Sequence, residues 1–299
     1  MKRTSNHSEQ GLFREEVLSF IRLFASEPQI SPYRRGKIAF ANFSLRVVAK
    51  NAPTWRNSMY SFDTRVRYSE CDSNRNLTLT ALVDYFQNCS SFHSEDIGAG
   101  VDFLAARGEA WFLLNWQIVI ERMPKFCENV KVCTAPYDFK GFYGKRNYWL
   151  TDCDGNVCVK ANSIWSCMDV INMRPKKVTQ EATKAYELEE PIEMDYAPRK
   201  LRIPENLVHT VDIAVSPEMI DTNHHVNNAQ YIRVAMTAFT NKSDEQGADN
   251  GNINQMLAEY KKSAKLGDVM YLYTGVEDGK FYVDMRDDEN NTYAVVVLM

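Results

Sequence analysis

Residues 221–231, which read DTNHHVNNAQY, concentrate more polar chemistry than a turn requires. The first eight of these residues contain one carboxylate, three carboxamides and two adjacent imidazoles. Asp and Asn favour turns because their side chains bond nearby backbone groups, and on this ground Asn227 and Asn228 are interpreted as turn-shaping residues. An imidazole titrates near neutral pH, which a turn does not need but a general base does. The stretch therefore predicts a reactive site.

An earlier segment of the chain repeats this pattern. Residues 72–76 align with residues 221–225, the same Asp and Asn occupy the first and third positions of both copies, and Asn76 stands where the second copy has His225. An apolar period of three to four residues follows each copy and predicts a helix. Internal duplication explains the recurrence better than coincidence. Only the second copy keeps the ionisable group, so His225 is the candidate base, whereas His224 is interpreted as a surface residue.

The remaining elements suit an α+β fold with antiparallel sheets. In the first half, strands are predicted over 62–68, 111–121, 129–137, 143–152 and 157–170, with helices over 79–92 and 101–107. In the second half, strands are predicted over 208–215, 256–262, 269–276, 281–285 and 293–298, with a helix over 228–239. Residues 172–206 are rich in proline and charge and predict a linker with a short helix near residues 181–188.

These features resemble the acyl-acyl-carrier-protein thioesterases of bacteria and plants, which have the tandem double hotdog fold. The resemblance runs from about Met59 to Met299 and is carried above all by residues 221–231. Supporting patterns are residues 66–70, 111–124, 144–146 and 163–165. It implies two copies of a long helix wrapped by an antiparallel sheet. The expected organisation is a first hotdog domain over 59–171, which binds the acyl chain, a linker over 172–206 and a second hotdog domain over 207–299, which carries the catalytic turn.

The resemblance also implies hydrolysis of a fatty acyl thioester on acyl carrier protein, with Asp221, Asn223 and His225 at the catalytic positions. The residue chemistry agrees with that role, because hydrolysis needs a base near neutrality and a donor for the developing oxyanion. Asn223 can donate through its amide to the carbonyl or position the water. Asp221 can either orient His225 or anchor the turn through backbone N–H groups.

One position departs from the family pattern. A Glu usually lies in the strand after the catalytic helix, and some members carry a Cys directly after it, whereas this chain has Ser263 and Ala264 there. A thiol nucleophile is thereby excluded at that position, and Ser263 can only position a water by hydrogen bonding. Glu259 lies four residues earlier and would need a change of register to replace the missing carboxylate.

Composition argues against several other classes of protein, namely nucleic-acid-binding, disulfide-rich, metal-binding and membrane-spanning proteins. A net charge of -4 gives no global attraction to nucleic acid. Seven cysteines without a CxxC pair predict reduced, mostly buried thiols in the cytoplasm rather than a disulfide framework or a metal site. No apolar run is long enough to span a membrane. No cofactor is expected. The expected partner is an acyl carrier protein with a phosphopantetheine-linked acyl chain, which a basic cluster such as Lys261, Lys262 and Lys265 could steer.

Several alternatives stay open from the sequence. Residues 1–58 hold an amphipathic stretch over 12–24 and are interpreted as an N-terminal extension, with Met59 as the functional start. The activity could instead be directed at acyl-coenzyme A. A catalytically silent hotdog protein that binds acyl chains is the alternative from another class, and Ser263 is its main support. The oligomeric state is open, with a homodimer as one alternative.

Overall fold

The computed structural model describes residues 59–246 and 253–299, so the expectations for residues 1–58 lie outside the described part of the chain. The first half contains strands β1 (Tyr60–Arg65), β2 (Glu109–Ile120), β3 (Asn129–Lys140), β4 (Tyr143–Asp152), β5 (Val157–Asp169) and β6 (Arg174–Pro175), with helices α1 (Leu79–Asp96), α2 (Val101–Ala106) and α3 (Gln180–Thr183). The second half contains strands β7 (Val208–Ala214), β8 (Gln255–Tyr260), β9 (Val269–Glu277), β10 (Lys280–Arg286) and β11 (Thr292–Leu298), with helix α4 (Asn228–Gln246).

The long helix α1 forms where the apolar period predicts it. Thr78 caps its N-terminus, because the hydroxyl accepts a hydrogen bond from the N–H of Ala81 at 3.2 Å. Five apolar positions spaced three and four residues apart are buried, namely Leu79, Leu82, Val83, Phe86 and Cys89, whereas Phe92 at the end of the period is exposed. This apolar stripe turns one face of α1 toward the sheet and toward α4, which packs against α1.

The sheet repeats one strand order in both halves. The order is β1-β3-β4-β5-β2 in the first half and continues in reverse as β8-β11-β10-β9-β7 in the second, so each of the strands β1 to β5 has its counterpart six strands later. The halves meet where β2 pairs antiparallel with β8, with Asn115 opposite Glu259. The tandem double hotdog predicted from the sequence is therefore confirmed, with both long helices packed on one continuous sheet.

Most predicted elements are present with shifted ends. The second long helix extends to Gln246 rather than residue 239, and β8 ends at Tyr260, two residues before the predicted end. The short helix of the predicted linker covers only Gln180–Thr183. Propensity does not fix helix ends, because tertiary packing can extend a helix beyond its apolar period.

The segment predicted to be a linker packs against the first half as a strap. The side chain of Gln117 donates to the carbonyl of Asp195 at 2.7 Å and accepts from the N–H of Ala197 at 2.8 Å. Asn147 accepts from the N–H of Ile192 at 3.1 Å, and Ile192 is 7% exposed. The strap covers an apolar patch formed by Cys133, Ala135 and Trp149, which explains why this irregular segment is ordered.

The larger hydrophobic core of the described residues runs through both halves. Val83 on α1 and Ile232 on α4 occupy equivalent positions of the repeat, and both side chains are fully buried. Because one core and one sheet join the halves, the division at residues 59–171, 172–206 and 207–299 stays a prediction.

All seven cysteines are free thiols, as predicted, and four of them are buried.

Candidate active site

The two aligned turns have the same backbone geometry. In the second copy the N–H of Asp221 donates to the carbonyl of His225 at 2.9 Å, and in the first copy Asp72 and Asn76 form the same bond at 2.9 Å. The fourth residue of each turn is left-handed, with φ 64° at Arg75 and 59° at His224. A 3₁₀ turn precedes each copy and a long helix follows it. The duplication inferred from sequence is therefore a duplication of structure.

The Asp221 carboxylate anchors this turn. Its Oδ1 accepts hydrogen bonds from the backbone N–H of Asn223 at 2.8 Å and of His225 at 3.4 Å, and its Oδ2 accepts from the Asn223 amide at 3.4 Å. The sequence left two roles open for Asp221, orienting His225 or anchoring the turn, and these hydrogen bonds correspond to the anchoring role. The charge of Asp221 still acts on the His225 imidazole and favours its protonated form.

The two asparagines after the turn have different contacts. Asn227 accepts a hydrogen bond from the N–H of Ala229 at 2.9 Å and so caps the start of α4, which agrees with a turn-shaping role. Asn228 instead donates from its amide to Gln87 Oε1 on α1 at 3.0 Å. Asn228 therefore ties the turn of the second half to the helix of the first, a contact that sequence reasoning missed.

The loop after β8 is fastened directly to the turn. The N–H of Ala264 donates to the Tyr231 hydroxyl at 2.8 Å, and its carbonyl accepts from the N–H of Val226 at 2.9 Å. Ser263 precedes this anchor, is exposed and lies in the loop rather than in the strand, where the family resemblance places the equivalent Glu. Glu259 accepts from the N–H of Leu201 in the strap at 2.9 Å, so its carboxylate is engaged away from the turn.

His225 lies in a setting that keeps its imidazole neutral. Burial lowers the pKa below its usual value, the positive charge of Lys265 lowers it further, and Asp221 partly opposes them. A neutral imidazole at neutral pH can accept a proton, which is the property that general-base catalysis requires.

A groove of about 1910 Å³ runs from the turn into the first half. One wall comes from the second half and consists of the turn, Tyr231, Tyr260 and the loop with Lys261, Lys262, Ser263 and Lys265. The opposite wall comes from α1, α2 and the strands of the first half. The groove thus brings the predicted site residues together between the two repeats.

Aromatic side chains divide between the groove and the core. Trp111, Phe112 and Trp165 line the groove. Trp116 and Tyr148 are packed in the core, with ring centroids 4.8 Å apart. Trp149 lies under the strap. These rings therefore form part of the groove wall and part of the core.

One contact beside the groove was not predicted from the sequence. His93, to which the sequence gave no role, is buried on α1 and accepts a hydrogen bond at Nδ1 from Arg146 Nη1 at 2.9 Å. The available signal was the alternation of β4, in which Arg146 falls on the same face as Tyr148 and Leu150, both fully buried. A charged residue at an inward position indicates a specific contact.

Within residues 59–246 and 253–299, no group of three or more His, Cys, Asp or Glu side chains is arranged to hold a metal ion. In the same part of the chain, no helix is both long and apolar enough to cross a membrane.

Comparison with solved structures identifies the fold of the chain. An acyl-ACP thioesterase from Bacteroides thetaiotaomicron superimposes with a TM-score of 0.74 at 21% identity, covering 81% of this chain and 98% of that one. The 12:0-ACP thioesterase from Umbellularia californica gives a TM-score of 0.70 at 16% identity, covering 82% and 97%. The chain is a tandem double hotdog protein with the architecture of these enzymes.

Sequence comparison finds a matching family model and several relatives of the chain. The family model for the acyl-ACP thioesterase N-terminal domain matches residues 57–186. An acyl-[acyl-carrier-protein] hydrolase of Cuphea viscosissima is 26% identical over 184 residues, covering 56% of this chain and 44% of the relative. A palmitoyl-acyl carrier protein thioesterase of Arabidopsis thaliana is 23% identical over 226 residues, covering 71% and 53%. The chain spans about half the length of these relatives. The resemblance to acyl-ACP thioesterases is confirmed.

Proposed function

We propose that the protein hydrolyses fatty acyl thioesters of acyl carrier protein and releases the free fatty acid. The observation that carries this proposal is a neutral, half-buried His225, held by a fixed turn at the edge of a groove between the two repeats. The acyl-ACP thioesterase domain match and the names of the relatives support the same reaction.

His225 acts as the general base in the proposed mechanism. Its imidazole takes a proton from a water molecule, the water oxygen forms a bond to the thioester carbonyl carbon, and negative charge develops on the carbonyl oxygen. The C–S bond then breaks, and the leaving thiolate receives the proton from the imidazolium. The N-terminus of α4 begins at Asn228, directly after the turn, and its dipole favours the developing negative charge.

Asn223 and Ser263 have polar supporting roles. The Asn223 amide is held by Asp221 at 3.4 Å and lines the groove, where it can donate to the carbonyl or the water. Ser263 lines the groove near the same turn and can position the water through its hydroxyl. With Glu259 engaged by the strap, this mechanism depends on His225 alone for proton transfer.

The lysines beside the turn suit an acidic carrier protein. Lys261, Lys262 and Lys265 all line the groove on the side of the catalytic turn. Positive charges there would steer a negatively charged partner and the phosphate of its phosphopantetheine arm, an effect that salt weakens. The cytoplasmic location and the homodimer considered from the sequence stay predictions.

A comparison of carriers tests the reaction. Purified protein is incubated with the same acyl chain on acyl carrier protein and on coenzyme A, and the released fatty acid is quantified for a series of chain lengths. The proposal expects hydrolysis with a higher kcat/KM on the carrier protein. Faster hydrolysis of the coenzyme A thioester would favour the alternative substrate. Stoichiometric acyl binding without release of acid would favour a silent binding protein, for which Ser263 in place of the family Glu is the supporting feature.

The pH dependence of hydrolysis tests the base. Protonation inactivates His225, and its lowered pKa predicts that kcat/KM falls only below pH 6.5, the ordinary value for histidine. Lys265→Met removes a cation that disfavours protonation, so the His225 pKa should rise and the acid limb should move to higher pH. Lys261→Met is the matched control, and the midpoint of its acid limb should stay in place. An identical pH profile for the Lys265 variant would argue against His225 as the titrating base.

A further inference from the structure

Arg146 carries a buried positive charge at the wall of the groove. It lies on β4, lines the groove and is 7% exposed. Its Nη1 donates to His93 Nδ1 at 2.9 Å and to Thr134 Oγ1 at 3.4 Å, and its Cζ lies 5.5 Å from the centre of the Tyr186 ring. None of these partners carries a negative charge.

His93 is held neutral in this arrangement. Burial and, after it, the charge of Arg146 lower the His93 pKa to about 4. A neutral imidazole can accept at Nδ1 the hydrogen bond that the guanidinium donates. The ring is fixed by stacking on Tyr60, with centroids 5.1 Å apart. Asp96 also acts on His93, but this carboxylate is exposed and accepts from the Tyr60 hydroxyl at 2.6 Å.

Neighbouring cations of the groove have carboxylate partners, whereas Arg146 does not. Arg107 contacts Glu109 at 3.1 Å, and Lys145 contacts Asp138 at 3.0 Å. Among the described residues, Arg146 forms no ion pair, and its Nε and Nη2 have no hydrogen-bond partner. Burying an unpaired charge is costly. The edge formed by Nε and Nη2 offers two parallel N–H groups, which match the two oxygens of a carboxylate.

The wall of α1 links Arg146 to the catalytic turn. Gln87 contacts Asn228 beside the turn, and His93 lies six residues further along the helix, which is about 9 Å of rise. Ser90 and Ser94 line the groove in this region, and their hydroxyls donate to the carbonyls of Gln87 and Ser90, each at 2.9 Å. These small, internally bonded side chains leave space for a chain between the two points.

We propose that the groove takes an acyl chain with a carboxylate at its distal end, which Arg146 binds through Nε and Nη2. This inference rests on the proposed hydrolysis and adds its substrate class. The thioester carbonyl lies at the turn with His225, and the distal carboxylate neutralises the buried guanidinium. Unsubstituted chains of the same length leave that charge unpaired and bind less tightly.

Matched thioesters test this inference. Wild-type protein, Arg146→Gln and Arg146→Lys are assayed on carrier-protein thioesters of a monocarboxylic acyl group and of an ω-carboxyacyl group with the same carbon number. The wild type should prefer the ω-carboxyacyl thioester. Arg146→Gln should lower that preference at least tenfold, mainly through KM, because a buried ion pair loses one partner. Arg146→Lys should retain part of the preference, since it keeps the charge but loses the planar fork.

The control variant is Arg202→Gln, which removes one positive charge from an exposed side chain that contacts Glu277 at 3.5 Å. It should keep the wild-type preference. Equal rates of the wild type on both thioesters, or an unchanged preference in Arg146→Gln, would overturn the inference and leave the proposed hydrolysis standing. Absence of hydrolysis on both thioesters would instead contradict the proposed function.

A binding measurement on the wild type tests the Arg146 site even if the enzyme shows no turnover or the Arg146 variants do not fold. Calorimetry on the wild type compares a free α,ω-dicarboxylic acid with the monocarboxylic acid of equal length. Tighter binding of the dicarboxylic acid supports the Arg146 site, and equal or weaker binding contradicts it.

Discussion

Replacing His225 by asparagine is expected to lower kcat/KM for acyl-carrier-protein thioesters about 10²–10⁴-fold, the usual contribution of a general base. Asparagine is the informative substitute because Asn76 occupies the same position in the first turn, where the backbone hydrogen bonds are the same. The variant should therefore fold as the wild type does. Initial rates under saturating and limiting substrate, together with a thermal unfolding curve, measure both properties.

The control for this prediction is His224→Asn. His224 is exposed and has φ 59°, a left-handed conformation that asparagine tolerates. It should retain most of the activity. If the His225 variant kept wild-type turnover, the assignment of the base would be wrong.

The second large effect is expected from Asp221→Ala compared with Asp72→Ala. Each carboxylate accepts two backbone N–H bonds and one side-chain amide bond in its own turn. Each substitution should cost about 0.5–2 kcal/mol in the free energy of unfolding, the usual effect of removing a side chain that caps backbone N–H groups. Only Asp221→Ala should also abolish hydrolysis, because its turn positions His225 in the groove. Chemical denaturation and steady-state kinetics on both variants give the comparison.

Asp221→Asn separates the anchoring role from an electrostatic one. An asparagine Oδ1 can still accept the two backbone hydrogen bonds, whereas the negative charge that favours protonated His225 is lost. If anchoring dominates, this variant should keep substantial activity and its acid limb should move to lower pH. Inactivity as deep as that of Asp221→Ala, in a folded protein, would assign the carboxylate a direct part in catalysis.

The repeat made much of the fold predictable. Asp and Asn at the same positions of two turns, followed by an apolar helical period, were sufficient to align residues 72–76 with residues 221–225. Alternation in the strands predicted antiparallel sheets in both halves. These signals are local, because they arise from turn chemistry and from the periods of helices and strands. The resemblance to double hotdog thioesterases then implied how the elements are arranged, with a long helix wrapped by an antiparallel sheet in each repeat.

The packing of residues 172–206 as a strap depends on residues far away in the chain. Proline and charge in residues 172–206 favour a linker, yet Gln117 and Asn147 on the sheet hold its backbone and Ile192 covers an apolar patch. The end of β8 was misplaced for a related reason. Ala264 bonds to Tyr231 and Val226, and this anchor turns the chain out of the strand before Ser263.

The sequence by itself determined the duplication and predicted the reactive turn with His225 rather than Asn76 as its base, since these depend on residue types at fixed spacing. Only the tertiary structure decided what surrounds that turn. Gln87 reaches Asn228 across the repeats, Lys265 depresses the His225 pKa, and Arg146 on β4 meets His93 on α1. Each of these pairs is far apart in the chain, and only the packing of both helices on one sheet brings it together. The charge balance inside the groove is therefore a property of the folded molecule.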